Sequence, residues 1–151
     1  MPSPKSEEEV REFYRRWGAQ VVTFCRLFLG DDRLAEHATA DAFVLYLRRG
    51  LALESRQLPS LLLRCAVSAA KERCSSGDGP IEETPDLRSA ILFLPCEQRA
   101  VFILRCVLGL DSPSVAMATG LASNNVQRLW VESLLHIRGL LSKESPKECT
   151  R

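Results

Sequence analysis

Apolar positions recur along this chain at three- and four-residue spacing and nowhere alternate with period two over a convincing length, so every predicted element is a helix. Val10, Phe13, Trp17, Val21, Phe24 and Phe28 form one stripe over about five turns. Ser6 followed by Glu9 makes a capping box that predicts where this helix starts, and Gly30 predicts its end. Asp31 or Asp32 caps a second helix over 33–49, with Leu34, Ala38, Ala42 and Leu45 on one side and Gly50 as its stop. A third begins near Pro59, suited to a first turn, and runs to Cys74, with Leu58, Leu62, Cys65, Ala66 and Ala69 on its buried side. The aromatic residues Phe13, Tyr14, Trp17, Phe24 and Phe28 belong to the core of this half.

Residues 75–85 break the pattern. Two glycines, two prolines and three acids cannot build a core, and the stretch reads as a linker. Helical spacing then resumes. Asp86 caps a short helix to Leu94, and Pro95 opens one carrying Val101, Phe102, Leu104 and Val107 to Gly109. Ser112 and Pro113 read as cap and first turn of a helix to Thr119, and Ser123 as the cap of a last helix to Leu141. The expected fold is all-α: two small helical domains over 6–74 and 86–141, a flexible linker over 75–85 and a polar tail over 142–151.

The stretch from Ser112 to Leu129 has the pattern of a helix-turn-helix. Ala116 is small where a second helix must cross closely, Gly120 suits a left-handed turn, and Leu121, Val126 and Leu129 are spaced to anchor the second helix. An ordinary helical hairpin with a glycine cap is the plainer alternative. In a DNA-reading motif the start of the second helix meets base edges. Here it offers Ser123, Asn124, Asn125, Gln127 and Arg128; Asn and Gln pair with adenine, and Arg with guanine. Farther along, Leu129, Trp130 and Val131 bring no cation, and Glu132 repels phosphate. On a protein-binding reading, Leu129 and Trp130 form an exposed apolar patch.

Composition narrows the function classes. With 46% apolar and 26% charged residues the chain is that of a globular protein, and no apolar run approaches the roughly 20 residues needed to cross a membrane. The N-terminal residues 1–11 are polar and acidic rather than signal-like, which places the protein in the cytoplasm. A net charge of +1 does not favour binding driven by phosphate attraction alone. Cysteines 25, 65, 74, 96, 106 and 149 contain no CxxC pair and stand at no zinc-finger spacing from His37 or His136. Cys25, Cys65, Cys96 and Cys106 read as reduced thiols filling a core, whereas Cys149 lies in the polar tail. No catalytic constellation, glycine-rich phosphate loop or metal set is visible, so neither an enzyme nor a cofactor is expected.

The order of these parts resembles that of the extracytoplasmic-function group of RNA polymerase sigma factors. Residues 92–104, LFLPCEQRAVFIL, resemble the opening of the family's region 4, and Gly109, Leu110 and the helix-turn-helix continue the likeness to Leu141. In the first half, Phe13 to Trp17 and Leu29-Gly30-Asp31 resemble the start of region 2, residues 35–43 its polymerase-binding helix, and residues 61–66 its promoter-melting helix. The resemblance implies core RNA polymerase and promoter DNA as partners and leaves room for an anti-sigma factor. It implies polymerase contacts at Glu36, Asp41 and Phe43, −10 contacts at Arg64, Lys71 and Arg73, and −35 readout by the residues at 123–128 named above. The chain departs from the family pattern at His37, usually an acid, and at Ala40, usually glutamine. It departs again at Leu61, usually tryptophan, and Ser68, usually asparagine. In the last helix Asn125 replaces threonine, Gln127 lysine, and Leu129 and Glu132 arginine. Three cationic positions are thereby neutral or acidic. Two other readings fit: a sigma-like protein acting through protein contacts, and a helix-turn-helix regulator whose first domain only dimerises.

Overall fold

The computed structural model describes residues 7–49, 58–74 and 86–142. These form seven α-helices and one π-helical turn, with no strand among the described residues. The all-α expectation holds. Three helices, α1 (Glu7–Leu29), α2 (Asp32–Arg49) and α3 (Leu58–Arg73), make the first half. The second half holds α4 (Leu87–Leu92), α5 (Cys96–Phe102) with its widened last turn at Ile103–Val107, α6 (Ser112–Thr119) and α7 (Ser123–Ser142). The capping box at Ser6, the stop at Gly50, the linker 75–85 and Cys149 lie outside the described residues.

In α1 the predicted stripe is buried where its side chains are described: Val21, Phe24 and Phe28 are fully covered, and Trp17 packs on them half-buried. Phe24 and Phe28 stack with ring centroids 5.4 Å apart. Gly30 ends the helix with φ +69°, and a Cβ there would meet Leu92 Cδ1 at 2.6 Å, so the same residue admits the second half. Asp31, of the two candidates, caps α2 by accepting from the Leu34 N–H at 3.0 Å. Ala35, Ala38 and Ala42 let α2 approach Leu62, Ala66 and Ala69 of α3 closely.

Asp86 caps α4 as expected, its Oδ1 accepting from the Ser89 N–H at 2.8 Å. Two other caps fall one residue earlier than read from the sequence. Asp111, not Ser112, caps α6 and accepts from the Ser114 N–H at 2.9 Å, because an acid also answers the partial positive charge of the helix start. Ser123 is the first residue of α7, and the first helical bond runs from the Val126 N–H to the Ala122 carbonyl. Val101, Phe102 and Leu104 of the helix opened by Pro95 are buried, whereas Val107 stands 43% exposed beyond the widened turn. Cys25 and Cys65 are buried, but Cys96 is half-buried and Cys106 exposed. Burial pushes the Cys25 thiol up to about 11, against a smaller opposing effect of its hydrogen bond with Thr39, which leaves it inert.

The buried side chains of both halves form a continuous cluster. Arg99 lies at the join, 4% exposed. Its Nη1 donates to the Phe28 carbonyl at 2.7 Å, and its Nη2 to those of Leu92 at 2.7 Å and Leu94 at 3.1 Å. The guanidinium also stands 5.0 Å from the Phe28 ring centroid. One cation thus satisfies carbonyls at the C-terminal ends of α1 and α4, where the helix dipoles favour positive charge. In addition, α3 packs on α6.

Candidate nucleic-acid interface

The helix-turn-helix is built as its residue types suggest. Gly120 adopts φ +77°, and its N–H returns to the Ala116 carbonyl at 2.8 Å, closing α6 in a left-handed turn. Val115 and Ala118 of α6 meet Val126 and Leu129 of α7 in the core. Anchoring those two positions turns Ser123, Asn124, Asn125, Gln127 and Arg128 outward, and all five are exposed.

Leu129 is 6% exposed and on the buried side of α7 with Val126, Ser133, Ile137 and Leu140. It is therefore neither part of an exposed patch nor a lost phosphate contact, and the neutral or acidic replacements on the outer face are Gln127 and Glu132. Trp130 is half-buried, its ring 6.4 Å from that of Phe102, with the Arg105 guanidinium 5.1 Å from its centroid. The exposed apolar residues of α7 are instead Val131, Leu134 and Leu135. Glu132 pairs with Arg128 at 3.2 Å, so the cation best placed to meet DNA already faces a carboxylate.

The expected −10 residues do not form one group. Arg64 is exposed on α3, and its Nη2 lies 3.6 Å from where a Cβ of Gly120 would stand, which brings it beside the α6–α7 turn. Lys71 is exposed. Arg73 reaches back to α2, with Nη2 2.6 Å and Nε 3.1 Å from Asp41 Oδ2. A residue expected to contact DNA and one expected to contact polymerase therefore pair with each other. Glu36 is exposed and Phe43 is half-buried against the core.

On the outward side of α2, Glu36 and His37 are followed by Ala40, Val44 and Leu47, all exposed at helical spacing; Val44 is 46% exposed and Leu47 38%. Sequence reading missed this apolar strip. Its signal was present: once Ala38, Ala42 and Leu45 are assigned inward, positions 40, 44 and 47 fall on the opposite face.

No protein-family model matches the chain, and no curated protein matches its sequence. Solved structures do match in fold. CnrH, in its complex with the cytosolic domain of CnrY, superposes with a TM-score of 0.71 at 17% identity, covering 93% of this chain and 92% of that one. The sigma factor RpoE of Bartonella quintana, in complex with the anti-sigma factor NepR, gives 0.69 at 15% identity, covering 89% and 98%. The chain has the fold of an extracytoplasmic-function sigma factor across both halves.

Proposed function

We propose that this protein is a sigma-type initiation factor that docks core RNA polymerase through the outward face of α2 and reads promoter DNA with the start of α7. The carrying observation is the fold match over nearly the full length of both chains, which supplies both halves in the order such a factor requires. The exposed run Ser123, Asn124, Asn125, Gln127 and Arg128 adds the chemistry for base readout. Polymerase contacts are assigned to Glu36, Asp41 and Phe43, joined by Ala40, Val44 and Leu47. Arg64, Lys71 and Arg73 serve the −10 strand.

The arrangement described is a closed one. Elements about 25 base pairs apart are separated by about 85 Å of duplex at 3.4 Å per step. Halves packed through α3 and α6 cannot reach both. The eleven residues 75–85 extend to about 38 Å, enough for two small domains to reach both elements once separated. DNA engagement thus requires α3 to leave α6, which frees Arg64 from the α6–α7 turn. Opening exposes apolar surface, and contacts with polymerase and promoter must offset its cost.

A second reading is favoured by a specific observation. Arg73 and Arg128, two of the cations assigned to DNA, face Asp41 and Glu132. A sigma-like protein that acts by binding another protein accommodates those pairs without further change. Transcription separates the two readings. Core polymerase with this protein, given fragmented genomic DNA, should start transcripts at positions sharing upstream sequence that core polymerase alone does not use. Binding of polymerase without any such start sites would assign the protein to the second reading.

A further inference from the structure

The two halves meet at a pair of sulfur atoms. Cys74 follows the last residue of α3, and Cys96 is the first of α5, 22 positions later; their Sγ atoms stand 3.3 Å apart. Both residues are half-buried, unlike the buried Cys25 and Cys65. The same Arg99 that holds the carbonyls of Phe28, Leu92 and Leu94 donates to Cys74 Sγ at 3.3 Å. The sulfurs are therefore held by the join itself. A disulfide needs about 2.05 Å between sulfurs, so they must close by a further 1.2 Å or so. Cys74 stands at the end of α3, its N–H bonded to the Lys71 carbonyl at 3.2 Å.

We propose that Cys74 and Cys96 form a reversible disulfide that clasps the two halves together in response to a hydroperoxide oxidant. Burial, and then the hydrogen bond with Cys96, push the Cys74 thiol up against the smaller opposing effect of Arg99, so Cys96 is the sulfur whose thiolate attacks a peroxide oxygen; the O–O bond breaks, hydroxide leaves, and that sulfur becomes a sulfenic acid, oxidised by two electrons. The second thiolate then attacks it, the S–S bond forms, and a second hydroxide leaves. The two thiol protons neutralise the two hydroxides, so two thiols and one hydrogen peroxide give a disulfide and two waters. A dithiol reductant reverses the step and is itself oxidised to a disulfide.

The clasp spans residues 75–85, the stretch that joins the two halves in sequence. Once closed, it ties the end of α3 to the start of α5 and keeps Arg64 against the α6–α7 turn. This regulatory consequence rests on the proposed function; the disulfide itself does not.

The test uses the full chain carrying Cys106→Ser and Cys149→Ser, so that Cys74 and Cys96 are the accessible thiols under study. Hydrogen peroxide should remove two hydrogens from the intact mass and link tryptic peptide 74–88 to peptide 89–99. Thermal unfolding should shift upward by roughly 5 °C or more. A dithiol should reverse both changes, and Cys96→Ser should abolish both. Oxidation to sulfinic or sulfonic acid without the linked peptides overturns the clasp. In the functional arm, oxidation should cut promoter-specific transcription by core polymerase at least tenfold in the protein with both cysteines and not in its Cys96→Ser form. Equal transcription by linked and reduced protein overturns the switch. Linked peptides together with no transcription in either state support the disulfide and reject the proposed function instead.

Discussion

Arg99 shows how much one side chain contributes to this architecture. The buried guanidinium is tolerable because three carbonyls and an aromatic face take its Nη1 and Nη2 groups, while its buried Nε has no partner among the described residues. Removing it leaves the Phe28, Leu92 and Leu94 carbonyls unpaired at helix ends. We expect Arg99→Leu to lower the unfolding free energy by about 3–5 kcal/mol in urea titrations, from three carbonyls left unpaired at roughly 1–3 kcal/mol each. Arg99→Lys should recover little, since a single ammonium cannot reach all three acceptors. A loss below about 1 kcal/mol for Arg99→Leu would show that the join does not depend on this residue. In the sequence Arg99 was visible only as one letter of a resemblance; nothing local marks an arginine as buried, because its partners lie 71, 7 and 5 positions away. Gly30 and Gly120 were legible because their neighbours demanded a positive φ, and both have one.

At the scale of elements, helix existence followed from apolar spacing, while two helix starts shifted by a residue: at α6 because two cap-capable side chains, Asp111 and Ser112, stand in succession, and at α7 because the first helical bond goes to the carbonyl of Ala122, which has no capping side chain to mark it. The caps carry a pH dependence. Backbone and side-chain hydrogen bonds to Ser89 lower the Asp86 carboxyl below its ordinary range, and those to Ser114 do the same for Asp111. A depressed folded value means stability that is complete above the ordinary carboxylate pKa and lost as pH falls through the folded value. Asp86→Asn with Asp111→Asn should therefore flatten thermal stability against pH in the acid range while preserving the helices by circular dichroism. An unchanged acid profile would assign the dependence to other carboxylates. The outward face of α7 yields a further prediction. Wild-type full-length protein should bind duplex DNA weakly, near the non-specific range of about 10⁻⁴–10⁻⁶ M at physiological salt. Gln127→Lys with Glu132→Arg adds two cations and frees Arg128 from its pair, so the salt slope should steepen by up to about 2.7 in anisotropy titrations. No change in slope would mean that α7 does not lie against phosphates. The ion pair with Glu132 was within reach of sequence reading, being an i,i+4 spacing; the Arg73–Asp41 pair was not, since it depends on how α2 and α3 cross.

For the whole molecule, the composition of 75–85 divided the chain in sequence, yet the described residues on either side share a continuous core. Patterning shows which faces are apolar but not which faces of separate halves cover each other; that is decided by shape, as where Leu92 fits over Gly30 and α3 over α6. The proposed function requires a molecule that rests closed and opens on its partners. Among the described residues no helix is long and apolar enough to cross a membrane, and the exposed strip on α2 remains available in the closed form. The central claim, that this strip engages core RNA polymerase, is tested most directly by measuring binding of the reduced full chain to purified core enzyme, with and without Val44→Glu and Leu47→Glu. Both side chains are exposed, so the double variant should fold as wild type by circular dichroism and thermal unfolding. The account predicts a saturable complex for wild type and at least a hundredfold weaker one for the variant; absence of a wild-type complex, or equal affinity of the two, would contradict it.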